Sequence, residues 1–331
     1  LTRDAGRVTI RRTEAGTIAF DGIGTLGRTL LLKQATALTV AALEQGISDI
    51  FLPVREIQPQ IAILDSDLLD QGIQHVVAIG ESDFRGSPEA RTHNITVGLS
   101  KFNGTLIPKG ATFSFNDILG RVDASAGYWK ELVILGPHTL PEYGGGLCQV
   151  STTAYRGVWE AGFPIAQRRN HSFAVRYYGP QGTDATIFPP HTDMQFVNDG
   201  PSSLLIQTHA QHGFATFIYY GTRDDRDVEI FGPKLWDVQA PPPDREEFTT
   251  DIPAGTTRKV SDRVPGMKAL WFRFIRKGEE EIAERVFSAY EARGLLTQIG
   301  AVIIPPNGIG ATRINGRGTH EFPRPREKRG G

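Results

Sequence analysis

Apolar residues recur at the spacing of an α-helix in two stretches of the chain. One stretch follows the only cysteine, Cys148, and ends at Gly162, two residues before a proline. The other runs from about Thr29 to Gln45 and ends at Gly46, where a helix C-cap is expected. This spacing predicts an amphipathic helix in each stretch, and it places Cys148 in the first turn of its helix.

Alternating polar and apolar residues predict strands elsewhere in the chain. The stretches concerned are 8–10, 17–20, 50–54, 75–78, 112–115, 173–177, 184–188, 269–276 and 282–288. A further helix is predicted over 95–102, and the polar residues 81–88 favour a loop. We therefore expect an α+β fold, with a mostly antiparallel sheet and the cysteine helix packed on one of its faces.

At 331 residues the chain is long enough for two or three domains. The clearest boundary is the run of prolines at 241–243, which is typical of a stiff extended linker. The predicted division is a small α/β module at 1–60, a catalytic domain at 61–235, a proline-rich linker at 236–250, a small β domain at 251–300 and a basic, flexible tail at 301–331.

Composition narrows the classes of function. A net charge of −1 gives no general signal for nucleic acid or membrane surfaces, and 39% hydrophobic residues indicate a soluble protein with a real core. A single cysteine rules out an intrachain disulfide. Since the chain begins at Leu1 rather than Met, we expect a processed or trimmed chain, with any signal peptide or membrane anchor lying upstream of it.

The stretch Gly144-Gly145-Gly146 before Cys148 changes the interpretation of that cysteine. Three glycines allow a sharp turn and the close approach of a substrate. A thiol at a helix N-terminus faces unpaired N–H groups and the positive end of the dipole, which favour the thiolate. A lone cysteine is otherwise a small buried hydrophobe. The glycines favour a nucleophile, because a cysteine that only packs does not need them.

A nucleophilic thiolate needs a base and a group that orients the base. His171 lies at the start of the predicted strand 173–177, and Asp184 begins the predicted strand 184–188. Pairing of these strands as a hairpin predicts that Asp184 comes within reach of His171. Cysteine, histidine and acid follow each other in the same order as in papain-like cysteine enzymes. The sequence contains no metal-ligand pattern and no phosphate-binding loop, so no metal or cofactor is predicted.

Several motifs together resemble the VanW-like domain family of bacterial cell-envelope proteins. These motifs lie between about residues 90 and 220 and follow the family's order. They are residues 113–116 with 119–120, the block Gly144–Thr153, the pair His171-Ser172, and the stretch from 177–178 through Gly182–Thr186. The chain departs from the family pattern at Ala154 and at Arg156-Gly157, on the helix body away from the predicted triad. Residues 1–60 resemble a partial peptidoglycan-binding-like module, and residues 250–300 more loosely resemble a small β module found after such domains.

The resemblance implies a peptidoglycan L,D-transpeptidase linked to the vancomycin-resistance context. Cys148 would form a thioester with a stem peptide, His171 would exchange protons, and Asp184 would hold the imidazole. The N–H groups of Cys148 and Gln149 are the candidate oxyanion hole, and Arg168 or Arg169 is the candidate partner of a stem carboxylate. Further candidate substrate residues are Gly144, Gly145, Gly146, Ser172, Asn116 and Tyr178.

Two other functions stay open at the level of sequence. A cysteine peptidase or amidase uses the same triad but transfers the acyl group to water. A non-catalytic wall-binding or resistance accessory protein does not use the triad at all. In each case the expected partner is the peptidoglycan stem peptide, the expected location is the cell envelope outside the cytoplasm, and no nucleic-acid partner is predicted. The sequence leaves the oligomeric state undetermined.

Overall fold

The structure, a computed structural model, describes residues 2–46, 50, 52–135 and 138–302. The helices are α1 Leu32–Glu44, α2 Ser66–Asp70, α3 Glu89–Ser100, α4 Phe115–Leu119 and α5 Leu147–Glu160, and 3₁₀ turns lie at Ala124–Ala126 and Arg176–Tyr178. The strands are β1 Arg7–Arg12, β2 Ile18–Ile23, β3 Gly27–Leu30, β4 Val54–Ile57, β5 Gln60–Ile63, β6 His75–Asp83, β7 Leu106–Ile107, β8 Thr112–Ser114, β9 Lys130–Leu135, β10 His138–Tyr143, β11 Ile165–Gln167, β12 Gln195–Val197, β13 Leu204–Gln211, β14 Phe214–Gly221, β15 Asp227–Gln239, β16 Arg245–Thr249, β17 Thr257–Ser261, β18 Gly266–Lys277, β19 Glu280–Tyr290 and β20 Leu296–Gly300.

An antiparallel sheet in the order β6-β14-β13-β7 lies at the centre of the fold. Side chains on neighbouring positions of a strand point to opposite faces, so each strand supplies two cores. Phe217 and Tyr219 of β14 face the main core, which contains α3 and α5. Ile218 and Tyr220 face a second core, shared with Val8, Ile10 and other residues of the β2-β1-β5 sheet. The central sheet is therefore covered on both faces.

Helix α5 lies directly on strand β6 through two glycines. A Cβ on Gly80 would be only 1.9 Å from the carbonyl oxygen of Thr153, and a Cβ on Gly157 would be 2.7 Å from the Gly80 nitrogen. No side chain fits between the two backbones. The position of α5 relative to the sheet is thus set by backbone contact.

The hairpin formed by β18 and β19 holds the other end of α5. The buried Arg273 of β18 donates to the carbonyl oxygens of Trp159 at 2.5 Å and Phe163 at 3.2 Å, close to the helix C-terminus. Trp271 of the same strand packs edge to face on Trp159, with 5.9 Å between ring centroids. Carbonyls at a helix C-terminus lack intrahelical partners. The guanidinium from the hairpin donates hydrogen bonds to them and also interacts favourably with the negative end of the helix dipole.

The predicted α+β fold with mostly antiparallel sheets is confirmed. The predicted hairpin of 269–276 and 282–288 is present as β18 and β19, with a turn at Gly278 where φ is +60°. The predicted helix after Cys148 corresponds to α5, whereas the one at 29–45 begins only at Leu32, since Thr29 and Leu30 pair with β4.

Other secondary-structure predictions are wrong. Residues 173–177 and 184–188 form no strands, and the first stretch ends in a 3₁₀ turn. Glu81–Asp83, predicted as part of a loop, extend β6 and pair with Phe214–Thr216. The strand predicted at 50–54 begins only at Val54. Whether a segment forms a strand depends on pairing with distant residues, and the local alternation of polar and apolar residues does not reveal that pairing.

The division into domains stays a prediction. Strand β15 runs to Gln239 and β16 covers 245–249, so within 236–249 the prolines of the predicted linker lie in a short non-strand segment, 240–244. Most of the predicted basic tail, 303–331, lies outside the described residues. Among the described residues, no helix has the length and apolar character that a membrane span requires.

Candidate functional site

Cys148 is the second residue of α5 and is half-buried. Its Sγ lies 3.5 Å from the hydroxyl oxygen of Thr186 and 3.7 Å from the carbonyl oxygen of Ile187. Gly146 occupies the N-cap with a left-handed backbone and no capping side chain. The thiol is therefore exposed to the positive end of the α5 dipole without a competing acidic cap.

The three glycines before Cys148 are required by the fold itself. Gly144 and Gly146 have φ values of +82° and +111°, which L-residues with a side chain rarely adopt. A Cβ on Gly144 would lie 2.4 Å from a methyl of Val122, and one on Gly145 would lie 2.8 Å from the Glu131 side chain. Turn geometry and packing thus account for all three glycines. Their contact with a substrate stays a prediction.

His171 and Asp184 lie in direct contact although neither belongs to a strand. The Nδ1 atom of His171 donates to Oδ2 of Asp184 at 2.5 Å, and the His171 backbone N–H donates to the same oxygen at 2.7 Å. The imidazole also stacks on the ring of Tyr178, with centroids 4.6 Å apart. Since Nδ1 is committed to Asp184, Nε2 is the nitrogen left to interact with Cys148, whose thiol helps to raise the pKa of His171.

The Asp184 carboxylate receives hydrogen bonds from two further side chains. Arg168 Nη2 lies 3.3 Å from Oδ1, and the Tyr290 hydroxyl donates to that same oxygen. Burial alone raises the pKa of Asp184, but the hydrogen bond and charge of His171, together with Arg168, lower it to about 2. The carboxylate is therefore ionised across the physiological range, and it keeps a positive charge on His171 favourable.

The thiol and the imidazole shift each other toward the charged pair. Burial by itself raises the pKa of Cys148, but the hydrogen bond and charge of His171 outweigh it and lower the pKa below its ordinary value. Burial lowers the pKa of His171, whereas Asp184 and Cys148 raise it to about 9. These directions favour a thiolate beside an imidazolium, which is the reactive form of a cysteine nucleophile.

The two predicted oxyanion donors differ in their availability. The Gln149 N–H donates to the carbonyl oxygen of Gly146 at 2.9 Å. The Gln149 side chain is buried and bonds Ser82, the Asp83 carbonyl and Arg91, so it does not face a substrate. The Cys148 N–H has no acceptor within the described part of the chain. This leaves Cys148 N–H as the open donor at the helix start.

Arg168 does not have the role that the sequence predicted. Its side chain is only 8% exposed and is occupied by Asp184, the Gly182 carbonyl and Ser288. A guanidinium used in this way is not free to pair with a substrate carboxylate. Arg169, the other predicted partner, is exposed.

The remaining predicted substrate residues are placed unequally. Tyr178 is buried beneath the His171 ring and holds the imidazole. Ser172 is exposed next to His171, and its backbone carbonyl accepts from Glu291. Asn116 is bonded to Asp193 and to the Thr192 carbonyl, and no contact brings it to Cys148.

Sequence reasoning missed two supports of the site. Tyr290 lies 106 positions from Asp184 in the sequence, and no local sequence pattern predicts the hydrogen bond between them. Arg156, which the sequence placed away from the triad, touches none of its side chains but donates to the carbonyl oxygens of Tyr178 at 2.5 Å and Thr183 at 3.1 Å. These carbonyls belong to residues next to or under His171 and Asp184. Arg156 therefore holds the irregular segment that carries them.

In the described ranges, no three His, Cys, Asp or Glu side chains cluster closely enough to hold an ion.

Comparison with known proteins finds a family match for one segment of the chain. Residues 90–220 match the model of the family described as VanW like protein, and this range contains Cys148, His171 and Asp184. This segment of the chain, about two fifths of its length, is similar to the VanW-like family. The VanW-like domain therefore includes α5, the central strands β13 and β14, and the glycine turn. No solved structure matches the chain.

Two curated proteins are similar to parts of this chain. The uncharacterized protein YoaR of Bacillus subtilis is 31% identical over 178 residues, which cover 54% of this chain and 57% of YoaR. The vancomycin B-type resistance protein VanW of Enterococcus faecalis is 28% identical over 116 residues, 34% of this chain and 42% of that protein. The chain thus spans about half the length of the curated relatives it matches.

Proposed function

We propose that the VanW-like domain is a cysteine acyltransferase, and specifically a peptidoglycan L,D-transpeptidase. The observation that carries this proposal is the hydrogen bond of the buried His171 imidazole to Asp184, together with two pKa shifts: His171 lowers the pKa of the Cys148 thiol, and Asp184 and Cys148 raise the pKa of His171. Such an arrangement is the activated nucleophile of acyl-transfer enzymes. The name of the VanW relative, a vancomycin resistance protein, supports a cell-wall substrate.

The proposed first step forms a thioester. The Cys148 thiolate attacks the carbonyl carbon of the third residue of a donor stem peptide, and the oxyanion is stabilised by the Cys148 N–H. The bond to the terminal D-alanine breaks, and His171 Nε2 gives its proton to the departing amine. The products are the thioester, free D-alanine and a neutral imidazole.

The second step transfers the acyl group. An acceptor amine attacks the thioester carbon, its proton passes to His171 Nε2, and the carbon–sulfur bond breaks. The thiolate–imidazolium pair is restored, so the cycle needs no cofactor. Asp184 keeps its charge throughout and holds the imidazole in the orientation that both proton transfers require.

Purified stem tetrapeptide tests the proposal. Cross-linked dimer with released D-alanine, detected by mass spectrometry, is the expected result. Tripeptide without dimer would instead identify a peptidase or amidase that uses the same residues. Absence of both products, and of any thioester on Cys148, would leave only a wall-binding role and overturn the proposal.

The proposed substrate also gives the protein a location. Peptidoglycan stems lie outside the cytoplasm, so the proposed site of action is the cell envelope. Localisation of the full-length protein by fractionation, with a cytoplasmic enzyme as marker, tests this. Recovery of the protein with the cytoplasmic marker would contradict it.

A further inference from the structure

A cleft lies beside the triad, on the other side of the 176–178 turn. It has a volume of about 610 Å³. Its walls are residues 81–83 of β6 together with Arg3, Arg85, Arg156, Arg176, Tyr177, Gly179 and Phe214. Tyr177 lines the cleft while its neighbour Tyr178 stacks on His171. One short turn therefore separates the cleft from the imidazole.

The cleft and the thiol are also connected through Gln149. The Gln149 side chain, one residue after Cys148, donates to the carbonyl oxygen of Asp83 at 2.9 Å in the cleft wall. Its Oε1 accepts from Arg91 at 2.6 Å, and the Arg91 guanidinium lies 4.3 Å from the centre of the Tyr177 ring. The wall of the cleft is thus bonded to the residue next to the nucleophile.

Positive charge exceeds negative charge in this region. Arg3 pairs with Glu81 at 3.2 Å and Arg85 with Asp83 at 2.5 Å, so both carboxylates of the cleft are already used. Among the described residues, Arg156 and Arg176 have no carboxylate oxygen within 4.0 Å. Arg156 is mostly buried and bonds carbonyl oxygens, and the nearby charges of Glu160 and Asp184 partly offset its own. Within the described part of the chain, Arg176 is therefore the cleft arginine that is left without an acidic partner.

Hydrogen-bond donors in the cleft remain unused. Arg3 Nη2 is buried without an acceptor among the described residues. Arg176 is exposed, and its guanidinium lies 5.9 Å from the centre of the Tyr177 ring. A planar guanidinium with free N–H groups is suited to bind a carboxylate through two parallel hydrogen bonds.

We propose that this cleft is the subsite for a carboxylate of the peptide substrate, with Arg176 as its principal ligand. This subsite proposal depends on the proposed acyl transfer in one respect only, the identity of the peptide that binds. Arg168, one of the two arginines that the sequence predicted for this role, is used by Asp184. In the cleft, by contrast, Arg176 is exposed and Arg3 Nη2 has no acceptor among the described residues. A peptide bound there would extend past the 176–178 turn toward Cys148.

Binding to the catalytically inert Cys148→Ala protein tests the subsite without turnover. Isothermal titration calorimetry compares a stem tetrapeptide with the same peptide whose carboxylates are amidated. We expect the acid to bind more tightly, and Arg176→Gln in this background to weaken it about 10-fold or more while leaving the amide unaffected, because hydrogen bonds to charged groups are among the stronger ones.

Arg285→Gln is the matched control, since it removes one exposed arginine that lies outside the cleft. It should change binding less than 2-fold, as expected of a surface charge. Equal affinity for acid and amide, or equal losses in the two variants, would overturn the subsite. Tighter binding of a phosphate-bearing wall polymer, with no peptide binding, would overturn it as well.

The two proposals fail in different ways. If the subsite is wrong, thioester formation on the unmodified protein persists while the acid and amide bind alike. If acyl transfer is wrong, no thioester forms, yet selective binding of the acid still depends on Arg176. In an active protein, Arg176→Gln should raise KM and leave kcat nearly unchanged.

Discussion

The two ends of the triad are built differently. At the Asp184 end, donors from His171, Arg168 and Tyr290 converge on a carboxylate that is 1% exposed. At the Cys148 end, the Sγ atom has looser contacts of 3.5 and 3.7 Å with Thr186 and Ile187, and the residue is half-buried. One end is fully bonded, and the other keeps room for a substrate.

This difference assigns separate tasks to the two ends. Asp184 is held by interactions that are costly to break, so it fixes the position and charge of the imidazole. Cys148 has few interactions to lose when its sulfur becomes part of a thioester. The acid end therefore supplies the orientation of the site, and the thiol end supplies its reactivity.

The largest effect is expected at the loose end. Cys148→Ala should lower kcat for dimer formation by at least about 10⁴-fold, since removal of a triad nucleophile leaves only binding and oxyanion stabilisation. The melting temperature should change little, because few contacts are lost. Dimer formation is followed by mass spectrometry. Unaltered product formation in this variant would show that another group carries the chemistry.

Asp184→Asn should affect activity and stability together. It removes the charge that raises the pKa of His171 and leaves the buried Arg168 without its carboxylate. We expect kcat to fall about 10³–10⁴-fold and the free energy of unfolding to fall by about 3–5 kcal/mol, the cost of breaking a buried ion pair. Urea denaturation and single-turnover kinetics measure the two effects.

Asp193→Asn is the matched control for that variant. Asp193 is also buried and accepts hydrogen bonds from Ser114, Asn116 and Gln195, but it contacts neither His171 nor Arg168. It should lower stability while the pH midpoint of Cys148 alkylation stays unchanged. A shift of that midpoint equal to the one in Asp184→Asn would contradict the separate role of Asp184.

A smaller effect is expected for Tyr290→Phe. The change removes one donor to Asp184 and the acceptor of the Gly182 N–H, so stability should fall by about 1–2 kcal/mol. As Tyr290 only positions Asp184, we expect kcat to fall about 10-fold with KM unchanged. Tyr128→Phe provides the control, because the buried Tyr128 hydroxyl has no partner among the described residues. If both variants behave alike, Tyr290 has no special link to the triad.

The pH dependence gives the mildest test. Alkylation of Cys148 should rise through a midpoint below the value of about 8.5 for free cysteine, because His171 lowers the pKa of the thiol. Transfer activity should fall again as the pH rises through about 9, where His171 loses the proton that the leaving amine needs. In His171→Ala the alkylation midpoint should move upward. An ordinary midpoint in the unmodified protein would instead favour a binding module.

The sequence predicted the cysteine helix well for a physical reason. Helical periodicity is local, so the apolar positions between Val150 and Val158 could be read without knowledge of the fold. The contact of His171 with Asp184 was also expected, but for an incorrect reason. No hairpin joins them, and the segment between them is irregular, with several carbonyls held by Arg156.

Long-range contacts could not be predicted in the same way. The occupation of Arg168 by Asp184 and Ser288, and the approach of Tyr290, depend on how the β18–β19 hairpin packs against α5. Residues more than 100 positions apart leave no shared periodicity in the sequence. Their pairing is set by tertiary packing, which overrides local pattern.

The hairpin has a practical consequence for anyone who expresses this protein. A fragment cut at 90–220, the range that the family match suggests, would contain all three triad residues but would lack Tyr290, Arg273 and Trp271. Solvent would then reach Trp159 and one side of Asp184. The segment that matches the family is therefore shorter than the segment that must be expressed to obtain an intact site.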